Sequence, residues 1–439
     1  MQFEHFNLKP EINAGIKAAG FTTPTPIQAR AIPVALQGHD LMGLAQTGTG
    51  KTAAFVLPLL QRLMNGTPHR VRALIVAPTR ELAEQIHETI NLLARHTQLR
   101  SMTIYGGVSI VPQIRTLKRG VDILVACPGR LLDHLNQKTI DLSQIEMLVL
   151  DEADRMFDMG FLPGIRKIVQ KLPQQRQTLL FSATMPKEIL KLAAEVLHTP
   201  QTIQVDRIAP SATVSHALYP VAQHLKTDLL LHLLKQTTTE SVLVFTRTKH
   251  RAKRLGEKLG RVGYQAASLQ GNLSQARRQE ALNGFRNGSY QILVATDIAA
   301  RGIDVSQISH VVNFDIPDTP EAYIHRIGRT GRAARSGAAF TLIGTEDQLM
   351  VKAIERTLGT QIERCQLPDF NYASKGQGTH ETPTGKIPAG KTAAAKAAVK
   401  SPKCEKVGAN QTPRRRRRNA RQNSAANRVA GNHRALGQS

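Results

Sequence analysis

Ala45-Gln46-Thr47-Gly48-Thr49-Gly50-Lys51-Thr52 is the stretch that decides the fold class. It follows Asp40-Leu41-Met42-Gly43-Leu44, which reads as a strand. It precedes Ala53-Ala54-Phe55-Val56-Leu57, which can begin a helix that ends or kinks near Pro58. A glycine-rich turn from strand to helix is a phosphate cradle. Gly48 and Gly50 let the backbone point its N–H groups inward, and the helix N-terminus adds positive potential. Lys51 then reaches toward β- and γ-phosphates, and the Thr52 hydroxyl suits Mg²⁺. The general pattern begins with Gly where this chain has Ala45, but Gly48, Gly50, Lys51 and Thr52 carry the mechanism and are all present.

A partner acid should end a buried strand. Met147-Leu148-Val149-Leu150 runs straight into Asp151-Glu152-Ala153-Asp154. Asp151 suits the Mg²⁺ shell through water, and Glu152 suits an attacking water that it would orient and relieve of a proton. Further short apolar runs at 74–77, 122–126 and 178–181 read as strands buried on both faces. Between them Glu81 to Leu93 puts Leu82, Ile86, Ile90 and Leu93 on one helical stripe. The pattern is that of a parallel sheet flanked by helices. It pauses near residues 206–220, between Pro210 and Pro220, then restarts with runs at 242–245, 291–295 and 310–314. The expected organisation is α/β, with two tandem parallel-sheet domains at 1–207 and 217–366 and a linker at 208–216. The second half has no phosphate loop of its own.

Charge adds a partner. The 439 residues carry a formal net charge of +25, which points to a polyanion, nucleic acid first. Residues 367–439 hold 15 Lys or Arg against 3 Asp or Glu, including five consecutive arginines at 414–418. Such a segment buries too little apolar surface to offset its ordering entropy, so a disordered basic tail is expected. The three cysteines, Cys127, Cys365 and Cys404, form no C-x-x-C pair, which suggests scattered reduced thiols rather than a zinc site or a disulfide framework. The N-terminus lacks a signal-peptide pattern and no apolar run approaches a bilayer span, so a cytoplasmic protein is expected. Trp is absent and aromatics are 4%, which argues against a broad base-stacking platform.

Phosphoanhydride hydrolysis also needs positive charge at its transition state. His325-Arg326-Ile327-Gly328-Arg329-Thr330-Gly331-Arg332 offers two arginines three apart, which share a face if the segment is helical. They would reach a γ-phosphate only if two domains close on it. A basic segment that binds nucleic-acid phosphates has the same spacing, and spacing alone does not separate the two readings.

In motif order over roughly residues 1–350 the chain resembles a DEAD-box ATP-dependent RNA helicase. Gly20-Phe21-Thr22-Thr23-Pro24-Thr25-Pro26-Ile27-Gln28 resembles that family's adenine-reading motif, with Phe3 as its upstream aromatic. The resemblance implies that Gln28 hydrogen-bonds adenine and Phe21 stacks on it. It implies that 45–52 (Ala45, Gln46, Thr47, Gly48, Thr49, Gly50, Lys51 and Thr52) hold the phosphates, and that Asp304 meets the ribose. Pro78-Thr79-Arg80-Glu81-Leu82, Gly106-Gly107 and Pro128-Gly129-Arg130 resemble RNA-contacting motifs, as do the segments containing Thr246, Thr296 and Gly302. Ser182-Ala183-Thr184, with Asp154 and His325, resembles the elements that couple hydrolysis to unwinding, and Arg329 and Arg332 resemble arginine fingers. Cys127 stands where the family usually has Thr, and Gln270 where it usually has His. The compact N-terminus and basic tail look most like the bacterial RhlE subgroup.

The resemblance implies two RecA-like domains, ATP and Mg²⁺ as cofactors, and structured or duplex RNA as partner, read largely without sequence preference. Ribosome assembly or RNA decay would fit such an enzyme. Two other classes fit parts of the sequence: a nucleic-acid chaperone with a vestigial ATPase, and a DNA translocase of the same superfamily.

Overall fold

A computed structural model describes residues 2–45, 48–205, 214–237, 240–300, 308–331, 337–373 and 405–406. Residues 1–406 fall in one compact unit. Within it lie two sheets. The first contains β1 (Leu41–Leu44), β2 (Ala73–Val76), β3 (Ser101–Ile104), β4 (Ile123–Ala126), β5 (Met147–Leu150), β6 (Gln177–Ser182) and β7 (Gln201–Gln204), in the order β3-β4-β2-β5-β6-β1-β7. Every pairing in it is parallel. The second contains β8 (Val214–Pro220), β9 (Val242–Phe245), β10 (Ala266–Leu269), β11 (Ile292–Ala295), β12 (His310–Asn313), β13 (Gly337–Ile343) and β14 (Glu363–Gln366), in the order β10-β11-β9-β12-β13-β8-β14. A two-residue strand, β15 (Glu405–Lys406), adds antiparallel to β14.

The central strands read as unbroken apolar runs because helices cover both faces of each sheet. In β2, Ala73 and Ile75 enter one core while Leu74 and Val76 enter the other. In β9, Leu243 and Phe245 face one way and Val242 and Val244 the other. This two-residue alternation lets one short strand serve two cores. It also fixes register, since a one-residue slip would exchange every contact.

Several boundaries differ from the sequence reading. The helix after the phosphate loop does not end at Pro58 but runs from Lys51 to Leu63. Proline removes one N–H, and burial of Phe55, Leu57, Leu59 and Leu60 around it offsets that loss. The expected linker at 208–216 overlaps β8, whose pairing with β13 begins at Val214; residues 206–213 lie outside the described set. The expected tail at 367–439 begins later, because Leu367 is buried and Phe370 and Tyr372 pack on the second lobe's core. The rest of the tail, apart from β15, lies outside the described residues. Cys127 is free and buried.

One buried ion pair holds the rear of the first sheet. Asp122 has no exposed surface and Arg72 almost none; they approach to 3.4 Å. Asp122 accepts the backbone N–H groups of His69 and Arg100, both at 2.9 Å, and Arg72 donates to the Leu63 and Asn65 carbonyls. The pair therefore ties the end of helix Lys51–Leu63 to the starts of β2, β3 and β4. Replacing Asp122 with Ala leaves two N–H groups without their acceptor and Arg72 with only the half-exposed Glu146, 3.7 Å away, as counter-charge. A loss of about 3–5 kcal/mol is expected, read as a lower denaturation midpoint at unchanged slope.

Candidate active site

Parallel strands deliver their C-terminal ends to one edge of a sheet, and the first lobe's chemistry collects there. β6 lies between β5 and β1. The phosphate loop after β1, the acidic box after β5 and Ser182-Ala183-Thr184 at the end of β6 are therefore neighbours. Gly48 and Gly50 take φ of +86° and +91°, values at which a Cβ would be strained. Gly50 is the N-cap of helix Lys51–Leu63, so Lys51 and Thr52 open that helix as the sequence implied. Gln46 and Thr47 lie outside the described residues.

Lys51 is buried, and its Nζ stands 4.0 Å from the Asp151 carboxylate with no hydrogen-bond partner among the described residues. Burial pushes the Asp151 carboxyl up to about 6; Lys51 pulls against that and Glu152 adds to it. Glu152 sits at φ +53°, unusual for a residue with a side chain, as N-cap of helix Ala153–Asp158. Its carboxylate accepts from Arg155 at 2.7 Å. Asp154 is equally constrained. Its Oδ2 accepts the N–H groups of Ala183 and Thr184 and the Thr184 hydroxyl, and its own N–H donates to Ser182 Oγ. Asp154, Ser182 and Thr184 thus form one hydrogen-bonded unit.

Gln28 is buried and wired to the phosphate loop. Its Oε1 accepts the Thr25 N–H and its Nε2 donates to the Gly50 carbonyl at 3.0 Å. Phe3 stacks on Phe21 with ring centroids 6.1 Å apart. Ala45 is buried at the end of β1.

The second lobe brings His325, with Arg329 near it, toward the acidic box. The His325 imidazole feels the charges of Arg155, Asp154, Arg329 and Glu152. Helix Pro320–Ile327 ends at Gly328, so Arg329 lies beyond it. Arg332, Gly302 and Asp304 fall outside the described residues.

The RNA candidates cluster on the first lobe. Thr79 caps helix Arg80–Leu93. Gly107 has φ +75°, and a Cβ there would collide with the Arg80 guanidinium. Arg130 donates to the Val108 carbonyl. Pro128 and Gly129 open the helix that Cys127 caps without a side-chain hydrogen bond. Burial pushes the Cys127 thiol up to about 12, so it stays protonated. In the second lobe, Thr296 is half-buried, whereas Thr246 is fully buried with its hydroxyl on the Thr248 carbonyl. Gln270, the other departure, turns its carboxamide onto the Asn272 N–H.

Two contacts join the lobes. Arg278 Nη2 lies 2.6 Å from Glu81 Oε1, and its Nε donates to the same oxygen. Beside it, Arg80 donates to Gln275. No local pattern reveals a pair 197 positions apart. The Glu152–Arg155 pair, by contrast, is local, three residues apart at the start of helix Ala153–Asp158.

The fold and the phosphate loop with its acidic box are those of a two-lobed α/β nucleotide hydrolase. Residues 25–192 match the DEAD/DEAH box helicase family and 225–334 the helicase conserved C-terminal domain. A DEAD-box ATP-dependent RNA helicase CshA of Bacillus subtilis is 44% identical over 85% of this chain and 76% of its own length. The ATP-dependent RNA helicase CshA of Listeria monocytogenes is 43% identical over 86% and 72%. A solved structure of S. cerevisiae Dbp5 bound to RNA and ADP BeF3 matches with a TM-score of 0.74 at 32% identity, over 83% of this chain and 94% of that one. The chain belongs to the DEAD-box ATP-dependent RNA helicase family and is an ATP-hydrolysing RNA helicase. No helix among the described residues is long and apolar enough to cross a membrane.

His325 supplies a pH test. Burial, reinforced by Arg155, lowers its imidazole to about 4 from the ordinary 6.5. Between those values the unfolded chain binds a proton that the folded chain refuses. This group's contribution therefore falls as pH drops from 6.5 toward 4 and is constant above. A His325→Gln chain should lose melting temperature less steeply than wild type between pH 7 and pH 5. Parallel curves would refute the assignment.

Proposed function

We propose that ATP binds at the phosphate loop of the first lobe, that RNA lies across both lobes, and that the two together complete an active site which neither lobe holds alone. The observation that supports this most directly is the division of charge: Lys51, Asp151 and Glu152 stand on one lobe, and His325 and Arg329 come to them from the other.

On this reading Gln28 and Phe21 select adenine, and the backbone of 45–50 with Lys51 holds the phosphates. Asp304 meets the ribose. The donor set also fits Mg²⁺. The Thr52 hydroxyl and the buried Asp151 carboxylate are hard oxygen donors beside a phosphate cradle, the arrangement in which Mg²⁺ is shared with a nucleotide rather than caged by protein. The ion would neutralise charge developing between the β- and γ-phosphates. Glu152, held by Arg155, orients the attacking water and accepts its proton. Arg329, with Arg332, stabilises the transition state. Asp154, Ser182, Thr184 and His325 report the state of the nucleotide site to the lobe interface.

RNA is read through phosphates and 2′-hydroxyls by Thr79, Arg80, Gly107, Pro128, Gly129 and Arg130 on one lobe and by Thr296 and Gly302 on the other. Thr246 belongs to the same surface through its backbone. Closure bends one strand, and a duplex cannot follow. Lost stacking costs about 1.4 kcal/mol per step if DNA values transfer, so a few steps are separated locally rather than by long travel. The Glu81–Arg278 pair supports closure as a defined state. The basic tail tethers RNA without sequence preference, and together with the compact N-terminus it supports an RhlE-like placement. Remodelling of ribosomal precursors or decaying transcripts in the cytoplasm fits this activity.

Single-stranded RNA should raise the ATPase rate. Glu152→Gln should lower kcat by about 10²–10⁴ while ATP still binds, and Arg329→Ala should lower it by about 10³–10⁵. Strand separation should disappear in Glu152→Gln and in Lys51→Ala. An ATPase indifferent to saturating RNA, or unwinding that survives Lys51→Ala, would overturn the coupling. A chain lacking 374–439 should bind single-stranded RNA with a log–log salt slope shallower by about 3.5 if five phosphates are lost. An unchanged slope would remove the tether.

A further inference from the structure

Arg326 follows His325 on helix Pro320–Ile327 and precedes Arg329 by three residues. It is buried, and its guanidinium is almost fully engaged. Nε and Nη2 each donate to a carboxylate oxygen of Asp297 at 2.6 Å. Nη1 donates to Asn313 Oδ1 at 3.2 Å and to the Asp315 carbonyl at 2.6 Å. The guanidinium carbon also lies 5.0 Å from the centroid of the Phe245 ring.

These partners are not scattered. Asp297 directly follows Thr296 and opens the helix Asp297–Ala300. Phe245 directly precedes Thr246 and ends β9. Asp315 accepts the Arg247 N–H at 2.9 Å and pairs with Arg251. A single buried cation therefore touches both second-lobe segments assigned to RNA, and it sits on the helix that carries His325 and leads to Arg329.

We propose that Arg326, with Asp297 as its partner, is the positioning residue through which RNA held at Thr246 and Thr296 sets the placement of His325 and Arg329 at the acidic box. The inference rests on the roles given under Proposed function. The chemistry suits transmission. A bidentate Arg–carboxylate pair has a fixed planar geometry, so movement of the Thr296–Asp297 backbone turns the guanidinium and the helix behind it. Lysine, a point charge on a flexible stem, would keep the charge and lose that fork. Cation–π contact with Phe245 adds the second RNA segment to the same rigid body.

A purely structural pin and a coupling element differ in one measurable respect. Coupling between two ligands is a reciprocal factor, separable from either affinity alone. The test uses the full chain. The affinity of a fluorescent single-stranded oligoribonucleotide is measured with and without Mg²⁺ and a non-hydrolysable ATP analogue, and analogue affinity with and without the RNA. Wild type should show a factor within the usual ~5–150-fold range. In Asp297→Asn the factor should fall to about twofold or less, with each single-ligand affinity within about threefold of wild type. Arg326→Lys should do the same, and the double variant should lose no more than Asp297→Asn alone.

Retention of the wild-type factor in Asp297→Asn would overturn the proposal, as would loss of both single-ligand affinities with the factor intact. Should Arg326→Lys fail to fold, Asp297→Asn decides alone, since its side chain is one-third exposed and the exchange preserves shape. A wild-type chain without any coupling would instead overturn the parent reading, and this inference with it.

Discussion

An ammonium buried without a hydrogen-bond acceptor is costly, roughly several kcal/mol even after relaxation, and Lys51 is such a group among the described residues. Its one close counter-charge, Asp151, is 4.0 Å away, too far for a hydrogen bond, and Asp151 is itself pushed toward its neutral form by burial. A cation and an acid that remain apart in a dry pocket suit a polyanion and a divalent ion, which would satisfy both at once. The rest of the first lobe serves this placement. Two positive-φ glycines bring the helix start to the end of β1, and β6 sets the acidic box one strand away. The strained backbone of Glu152 is held where its carboxylate meets Arg155.

The parts of the fold that the sequence revealed share a cause. β5, β9 and the middle of β2, β4, β6, β11 and β12 are buried on both faces, and continuous apolar runs follow from that. The missed strands lack this constraint or disguise it. β3, β7 and β10 are edge or near-edge strands with polar or small residues on an open side. β13 is central but begins Gly-Ala-Ala, which has little side chain to show a pattern. Leu367, Phe370 and Tyr372 extend the folded chain past residue 366, yet they sit in a segment whose composition is dominated by the basic tail behind them.

The site was legible where it is local. The phosphate loop, the acidic box and Ser182-Ala183-Thr184 are contiguous in sequence, and their geometry follows from strand-to-helix turns. Arg329 lies beyond the helix, which ends at Gly328, and Arg332 lies outside the described residues, so their spacing of three is not tested. Glu81 with Arg278, and Arg80 with Gln275, could not be found at all by spacing. Each is an ordinary charged or polar residue in its own helix, and only the approach of two lobes makes it a contact.

That approach explains why the enzyme's ion pairs are unequal in consequence. The exposed pair Arg166–Glu195 is open to solvent, and water and salt screen pairs of that kind almost completely. Glu81 and Arg278 are both largely buried, so removing either partner leaves the other as an unpaired buried charge. The same Arg278 reaches the Ala299 carbonyl, on the helix that Asp297 begins. On the proposed reading, hydrolysis coupled to RNA requires discrete states of this interface rather than a continuum of partial closures. Arg329 stabilises charge only when it is in place, and a lobe that closed by degrees would neither bend a strand sharply nor release it cleanly.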